Sequence, residues 1–191
     1  MKDQLYRAGR QYAVQAKDSK YDKLTYDDVD CQAFCELVLK DLGVRDSSGR
    51  PYNWKGSNDM ARNAVSWIGT KEEAIRVFGC IPLGSWAFIW DNSGKEKERG
   101  YYDGKGNYAH IGIYVGDNIV RDSTRYKKNS DGTYARNGVG NRKLSAFNRI
   151  GLPKMLDFEG VPEYNTREKC LALISEIRGR LDELEGLMDE L

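Results

Sequence analysis

Hydrophobic periodicity changes twice along the chain, and those changes predict an α+β domain followed by a helical tail. Helical spacing runs through residues 2–77, strand-like alternation takes over at residue 85, and a seven-residue repeat begins near residue 166. Helices first and strands afterwards favour a central antiparallel sheet with the N-terminal helices packed on it. With 191 residues the chain has room for one domain with a sizeable core plus one further element. The expected division is residues 1–160 and 161–191.

The first element is an amphipathic helix over residues 2–17, with Leu5, Ala8, Tyr12, Ala13 and Ala16 at helical spacing. The polar stretch DSKYDKLTYDD leads to a second helix at residues 31–42, whose apolar face is Phe34, Leu37, Val38 and Leu42 and whose stop is Gly43. RDSSGRPYNWKGSND has the Gly, Pro and Asx content of a surface loop. Residues 58–68 predict a third helix capped by Asn58, and residues 71–77 a short fourth. SWAFIW at 85–90 predicts a strand, and DNSGKEKERGYYDGKGN a polar excursion. Residues 108–115 and 118–122 predict two strands joined by Gly116-Asp117 as the hairpin turn, with short strands at 142–146 and 154–157.

In the tail, Cys170, Ile174, Ile177, Leu181, Leu184, Met188 and Leu191 alternate by four and three, a heptad a/d register. The plain reading is a helix docked along the domain. The sharper one is a short coiled coil that makes a homo-oligomer through residues 166–191.

Apolar residues are 40% and charged residues 31% of the chain, the balance of an ordinary soluble globular protein. A formal net charge of +1 supplies no long-range field for nucleic acid or an anionic membrane, so neither is an expected partner. No apolar run approaches the ~20 residues that span a bilayer, so no membrane insertion is expected. The polar start MKDQLYRAGRQYAVQAKDSK lacks the apolar region of a signal peptide and predicts synthesis in the cytoplasm.

Cys31, Cys35, Cys80 and Cys170 fit neither a zinc site nor a disulfide framework. Cys31 and Cys35 lack a second ligand pair, the single histidine is distant at position 110, and a chain this long and Cys-poor has no need of cross-links. Free thiols, with no metal and no cofactor, are the expectation. A thiol attacks as thiolate, and its ordinary pKa of ~8.5 keeps that form scarce at neutral pH. The positive end of a helix and a neighbouring imidazole both favour the thiolate, and a first-turn N–H also faces a developing oxyanion. Asp30-Cys31 opens a helix, so Cys31 is placed to use all three. His110 lies in YAHIGIYV, where Ile111, Ile113 and Val115 alternate with His110, Gly112 and Tyr114. For an arbitrary Cys and His the plain reading is a buried structural Cys and a surface His that never meet, because a buried Cys is usually a small hydrophobe, and the local context here argues against it. Cys35, one turn deeper in the apolar face, fits that description, and Cys80 and Cys170 also read as structural.

Asp30-Cys31-Gln32-Ala33-Phe34 resembles the nucleophile signature of the NlpC family of cell-wall cysteine peptidases. The run from His110 to Gly116, HIGIYVG, resembles the strand that carries the family's base. Ile81-Pro82-Leu83-Gly84-Ser85-Trp86 is similar to the turn and strand that precede it. Residues Trp54 to Met60, WKGSNDM, and Ile150-Gly151-Leu152-Pro153 resemble the branch found in phage and prophage proteins of Gram-positive bacteria. The resemblance spans about residues 5–158 and stops at the tail.

This resemblance implies a papain-like core in which Cys31 attacks and His110 moves the proton. The implied reaction is hydrolysis of amide bonds in peptidoglycan stem peptides, of the γ-D-glutamyl-diamino acid endopeptidase type. Tyr26 corresponds to the family's oxyanion-region tyrosine. Asp30 stands where the family binds the free amine of a stem peptide, and is equally an ordinary cap. Ser57 and Tyr114 complete the expected substrate-binding set. The same Cys-His pair also suits a papain-like N-acetylmuramoyl-L-alanine amidase or an acyltransferase, and a relic site suits a non-catalytic phage structural module. Release by lysis, or delivery in a phage particle, is the implied route to the wall.

The third residue is where the pattern divides. The family usually carries His, or Asn, Gln or Asp, on the strand after the base, to accept the other imidazole N–H. Counting from His110 lands on Asp122, whereas the local pattern lands on Arg121. Chemistry favours Asp122, since arginine only donates and its charge opposes an imidazolium. The alternative role for Asp122 is pairing with a surface Arg or Lys.

Overall fold

The computed structural model describes residues 7–128, 130 and 134–158. The chain divides into two compact units, residues 1–161 and 162–191, and the described residues all belong to the first. The predicted heptad helix, the oligomer reading and Cys170 lie outside the described residues.

In chain order the elements are β1 (Arg7–Ala8), α1 (Gly9–Ala16), a 3-10 turn (Ser19–Lys23), α2 (Cys31–Asp41), α3 (Ser57–Asn63), β2 (Val65–Gly69) and α4 (Lys71–Phe78). Then follow β3 (Trp86–Asp91), a 3-10 turn (Lys95–Arg99), β4 (Asn107–Gly116), β5 (Ile119–Lys128), β6 (Tyr134–Lys143), a 3-10 turn (Leu144–Ala146), β7 (Arg149–Pro153) and β8 (Leu156–Asp157). Six strands form one antiparallel sheet in the order β2-β7-β3-β4-β5-β6, while β1 and β8 pair in parallel. The fold is therefore α+β with early helices on a central antiparallel sheet, as the order of periods predicts.

Strand alternation sorts the core onto two faces. Trp86, Phe88, Ile111, Ile113 and Val115 join Tyr12, Phe34, Cys35 and Val38 of the first two helices in the larger cluster. Ala87, Val120 and Ile150 point the other way, to Ala74 of α4 and to Leu144 and Phe147. Ile111 and Ile113 are fully buried, each contributing roughly 1.5–3 kcal/mol of transfer free energy. A buried polar thread ties the layers: Trp86 Nε1 donates to Tyr12 Oη at 3.2 Å, and the Tyr12 hydroxyl donates to the Cys35 carbonyl at 2.9 Å. Both helices are thereby held in register with β3, which fixes where α2 begins.

Several sequence expectations are corrected. Within the described residues the first helix is confined to Gly9–Ala16, since Arg7–Ala8 is extended and pairs with Leu156–Asp157. Residues 58–68 are not one helix: α3 ends at Asn63, and the β-branched and aromatic run Val65-Ser66-Trp67-Ile68 forms an edge strand on β7. Asn58 does not cap that helix, whose N-cap is Gly56; its buried amide donates to Asn107 Oδ1 at 2.9 Å and accepts from the Tyr108 N–H at 2.9 Å. The hairpin turn is centred on Asp117-Asn118, both left-handed at φ 53° and 57°, one residue beyond the expected pair. Asx residues tolerate that conformation, and Asp-Asn makes the turn with no glycine at its centre. The strand after it runs to Lys128, far past residue 122. Residues 142–146 belong to the end of β6 and a 3-10 turn, and the substantial late strand is Arg149–Pro153. Cys80 is exposed, just beyond the α4 cap, and is not a packing residue.

Candidate active site

Cys31 is the first residue of α2, half-buried at the positive end of that helix. The start is set by Asp30, whose extended backbone and side chain cap the helix: Oδ1 accepts from the Ala33 N–H at 2.8 Å. The Cys31 amide lies in the first turn, where backbone N–H groups have no intrahelical acceptor.

His110 sits at an irregularity in β4. Ile89 pairs with His110 and Trp90 with Tyr108, so Ala109 is an extra residue. Tyr108 and Ile111 both join the larger core cluster, which strict alternation forbids and the bulge allows. Phe147 stacks against the imidazole with centroids 6.0 Å apart. Nε2 of His110 lies 2.6 Å from Asp122 Oδ2, and the Cys31 sulfur acts electrostatically on the same ring.

Burial on its own favours the neutral ring. The hydrogen bond to Asp122 and the charge of Cys31 outweigh it and raise the His110 pKa to about 9. Burial likewise disfavours the Asp122 carboxylate, but its bond to His110 and the charges of His110 and Arg136 hold its pKa below the usual value. The result is an imidazolium paired with a buried carboxylate. Of the two residues competing for the third position, the structure sets Asp122 against the ring. Arg121 points elsewhere, bonding Asp22 at 2.5 Å and the Ala16 carbonyl at 3.2 Å.

A cleft of about 220 Å³ opens beside Cys31 and is lined by Tyr26, Asp30, Ser57, Lys55, Arg99 and Tyr101, among others. Burial raises the Tyr26 phenol, and the negative charges of Cys31 and Asp30 raise it further, so Tyr26 stays a neutral O–H donor. Ser57 opens α3, and its hydroxyl donates to the Tyr108 carbonyl at 2.5 Å, joining one wall of the cleft to β4. Tyr114 is not in the cleft; it packs beside the second core cluster, one strand-length past the bulge.

Other site residues carry no family-like signature. Arg62 makes a paired bond to Asp103 at 2.8 and 2.9 Å, reaches the Gly106 carbonyl at 2.9 Å and lies over the Tyr101 ring at 4.4 Å. It thus holds the polar excursion that brings Arg99 and Tyr101 to the cleft. Gln32 bonds Glu36 and the Trp54 carbonyl, which ties the other wall to α2. Arg136 and Arg142 on β6 both contact Asp122. Charge density at 95–99 is visible in the sequence, but its position over the cleft depends on Arg62, 41 residues before Asp103.

Among the described residues no group of three or more His, Cys, Asp or Glu converges as metal ligands would, and no helix is long and apolar enough to cross a membrane. A thiol at a helix start, an imidazole paired with a carboxylate and a phenol beside one cleft are the residue types that acyl-transfer chemistry uses. No protein-family model, curated protein or solved structure matches this chain.

Proposed function

We propose that this protein is a papain-like cysteine peptidase of the NlpC type that hydrolyses amide bonds in peptidoglycan stem peptides. The observation that carries the reading is the His110–Asp122 pair, whose ring also feels the charge of Cys31 at the start of α2 beside an open cleft. His110 takes the thiol proton and Cys31 Sγ attacks the scissile carbonyl carbon. The oxyanion is met by the Cys31 N–H and the Tyr26 hydroxyl. His110 then gives its proton to the leaving amine, the C–N bond breaks and an acyl-enzyme remains. Water, deprotonated by His110, attacks that thioester and releases Cys31 as thiolate. Asp122 keeps the ring in the orientation each transfer needs. Two further features support the substrate class: the NlpC-like runs at Asp30–Phe34 and His110–Gly116, and an acid and a phenol beside the sulfur. A phage-derived wall-lytic enzyme is the setting this reading implies.

The test is digestion of purified Gram-positive peptidoglycan, with fragments identified by mass spectrometry. The expected products are stem peptides cut after the γ-D-glutamyl residue, formed by the parent and absent with Cys31→Ala. Fragments with intact stems and freed muramic acid ends would replace the endopeptidase with an amidase. No release by the parent would remove the wall-peptidase reading.

A further inference from the structure

Asp122 has more partners than orienting an imidazole requires. It is fully buried, and three cationic side chains converge on it. Arg136 Nη2 donates to Oδ1 at 2.7 Å and also reaches the main-chain carbonyl of Asp122. Arg142 Nη1 stands 3.3 Å from Oδ2, the oxygen that His110 uses. Both arginines come from β6, where residue 140 pairs with Asp122 across the ladder. That residue is glycine, and a Cβ on it would come within 3.0 Å of Arg136 Nε and 3.2 Å of its Cζ. A side chain there would crowd the guanidinium lying beside Asp122.

We propose that Arg136 and Arg142 are positioning residues that act on His110 through Asp122 in opposite senses, Arg136 pinning the carboxylate to the ring and Arg142 drawing it away. The inference rests on the reading of His110 as the base for Cys31. Arg136 grips the oxygen that His110 leaves free and the backbone beside it, so it fixes the side-chain rotamer that presents Oδ2 to the imidazole. Arg142 shares Oδ2 with His110, so each weakens the other's hold on that oxygen. Arg142 also lies over the Phe147 ring at 5.4 Å, the ring that stacks on His110, which keeps its charge on the imidazole side of the carboxylate. The charged groups that bear on His110 are therefore Asp122 on β5, Cys31 on α2, and the two arginines on β6. Its β3 neighbour, Ile89, carries no charge.

A buried carboxylate alone with an imidazole makes a tight ion pair that resists giving up its proton. The leaving amine needs that proton, and the attacking water needs a free base. Arg142 weakens the pair, and Arg136 prevents the carboxylate from swinging away in response. Together they hold the ring between two proton-transfer roles. An arginine pair on a polar strand thus acts on the chemistry without touching substrate.

His110 is the only histidine, so its ring gives one readable NMR titration in the full-length protein. Arg142→Gln is expected to raise the His110 midpoint by about 1 pH unit, and Arg136→Gln to lower it by about as much. Arg136→Lys, which keeps a donor on Oδ1, is expected to return to within a few tenths of the parent. Gly140→Ala, which retains the guanidinium but crowds it, is expected to shift in the direction of Arg136→Gln, and it stands in should that variant fail to fold. Shifts of the same sign for Arg142→Gln and the Arg136 or Gly140 variants, or no shift in either, would overturn the proposal. These titrations require no wall digestion, so a parent that leaves peptidoglycan uncut refutes the peptidase reading and not the clamp.

Discussion

Cys31 and Cys35 stand one helical turn apart on α2, with the same side chain and the same helix, and their surroundings make them different reagents. Cys35 is fully buried among Tyr12, Phe34 and Val38, where burial and the nearby Cys31 charge push its thiol pKa well up. Cys31 is half-buried at the helix start, beside an open cleft and within the electrostatic reach of an imidazole. A rise of about 5–6 Å along the helix separates a packing sulfur from a candidate nucleophile. The lesson is that position along a helix, more than the identity of the residue, decides whether a sulfur is sealed in the core or set at a helix start beside a cleft.

The hardest test of that contrast is substitution at both positions. Cys31→Ala removes the nucleophile, and kcat/KM on wall peptides is expected to fall on the order of 10⁶-fold. Cys35→Ala leaves a small void and is expected to cost about 1 kcal/mol in denaturant unfolding while activity stays within a few-fold of the parent. Comparable activity loss in the two variants would end the division of roles. Next in size is Asp122→Asn, which keeps the shape but removes the charge that stabilises the imidazolium. Two half-buried arginines would then lack their counter-ion as well. A fall in kcat/KM of about 10³–10⁴-fold is expected, together with slower alkylation of Cys31 at neutral pH. Unchanged alkylation would mean the carboxylate does not influence the sulfur.

A smaller effect is expected from Gly112→Ala. A Cβ at this position would meet Val120 Cγ1 at 2.5 Å, Asp122 Cβ at 2.8 Å and the Arg121 carbonyl at 2.9 Å. The glycine two residues after the base lets β4 and β5 approach closely enough for His110 and Asp122 to share a proton. Overpacking of about 1–3 kcal/mol is expected from thermal unfolding, with kcat/KM about 10²-fold lower as Asp122 is pushed from the ring. A variant that loses stability at full activity would show that the spacing serves packing alone.

What could be read in advance follows the same divide. The α2 start was legible because Asp30, Cys31 and the apolar positions behind them are local signals: a cap, a first-turn residue and a helical stripe. The β4 strand was legible through Ile111, Ile113 and Val115. The choice of Asp122 over Arg121 was legible from charge, and the structure supplies the geometric reason, since odd and even positions on β5 face opposite sides. The β6 strand was not legible, because its sequence, YARNGVGNRK, has a single branched aliphatic residue, Val139. Arg136, Gly138, Gly140 and Arg142 occupy alternating positions along it, and that alternation serves a buried carboxylate rather than an apolar core. A scan for hydrophobic periodicity passes over such a strand. The β2 strand was hidden for another reason: Val65-Ser66-Trp67-Ile68 follows a helix directly, and only pairing with Gly151 and Leu152, over eighty residues later, makes it extended. Ala109 was unreadable in principle, because a bulge is a mismatch between two strands and not a property of one.

The smallest expected effect separates the surroundings of the two α2 sulfurs by pH. The folded His110 pKa of about 9 exceeds its ordinary value of 6.5, so folding strengthens its hold on the proton. That contribution is fully present below about pH 6.5 and is lost as pH rises through about 9. Cys35 acts in the same direction at higher pH, because its buried thiol also binds its proton more tightly than the unfolded chain does. The two are separated by difference: Cys35 is common to the parent and to His110→Asn, while the imidazole is not. Between pH 6 and pH 9.5 the parent is expected to lose about 3–6 °C more in Tm than His110→Asn, followed by circular dichroism. Parallel Tm curves would place the imidazole's proton outside the folding equilibrium, and with it the charge that distinguishes Cys31 from the sulfur one turn below.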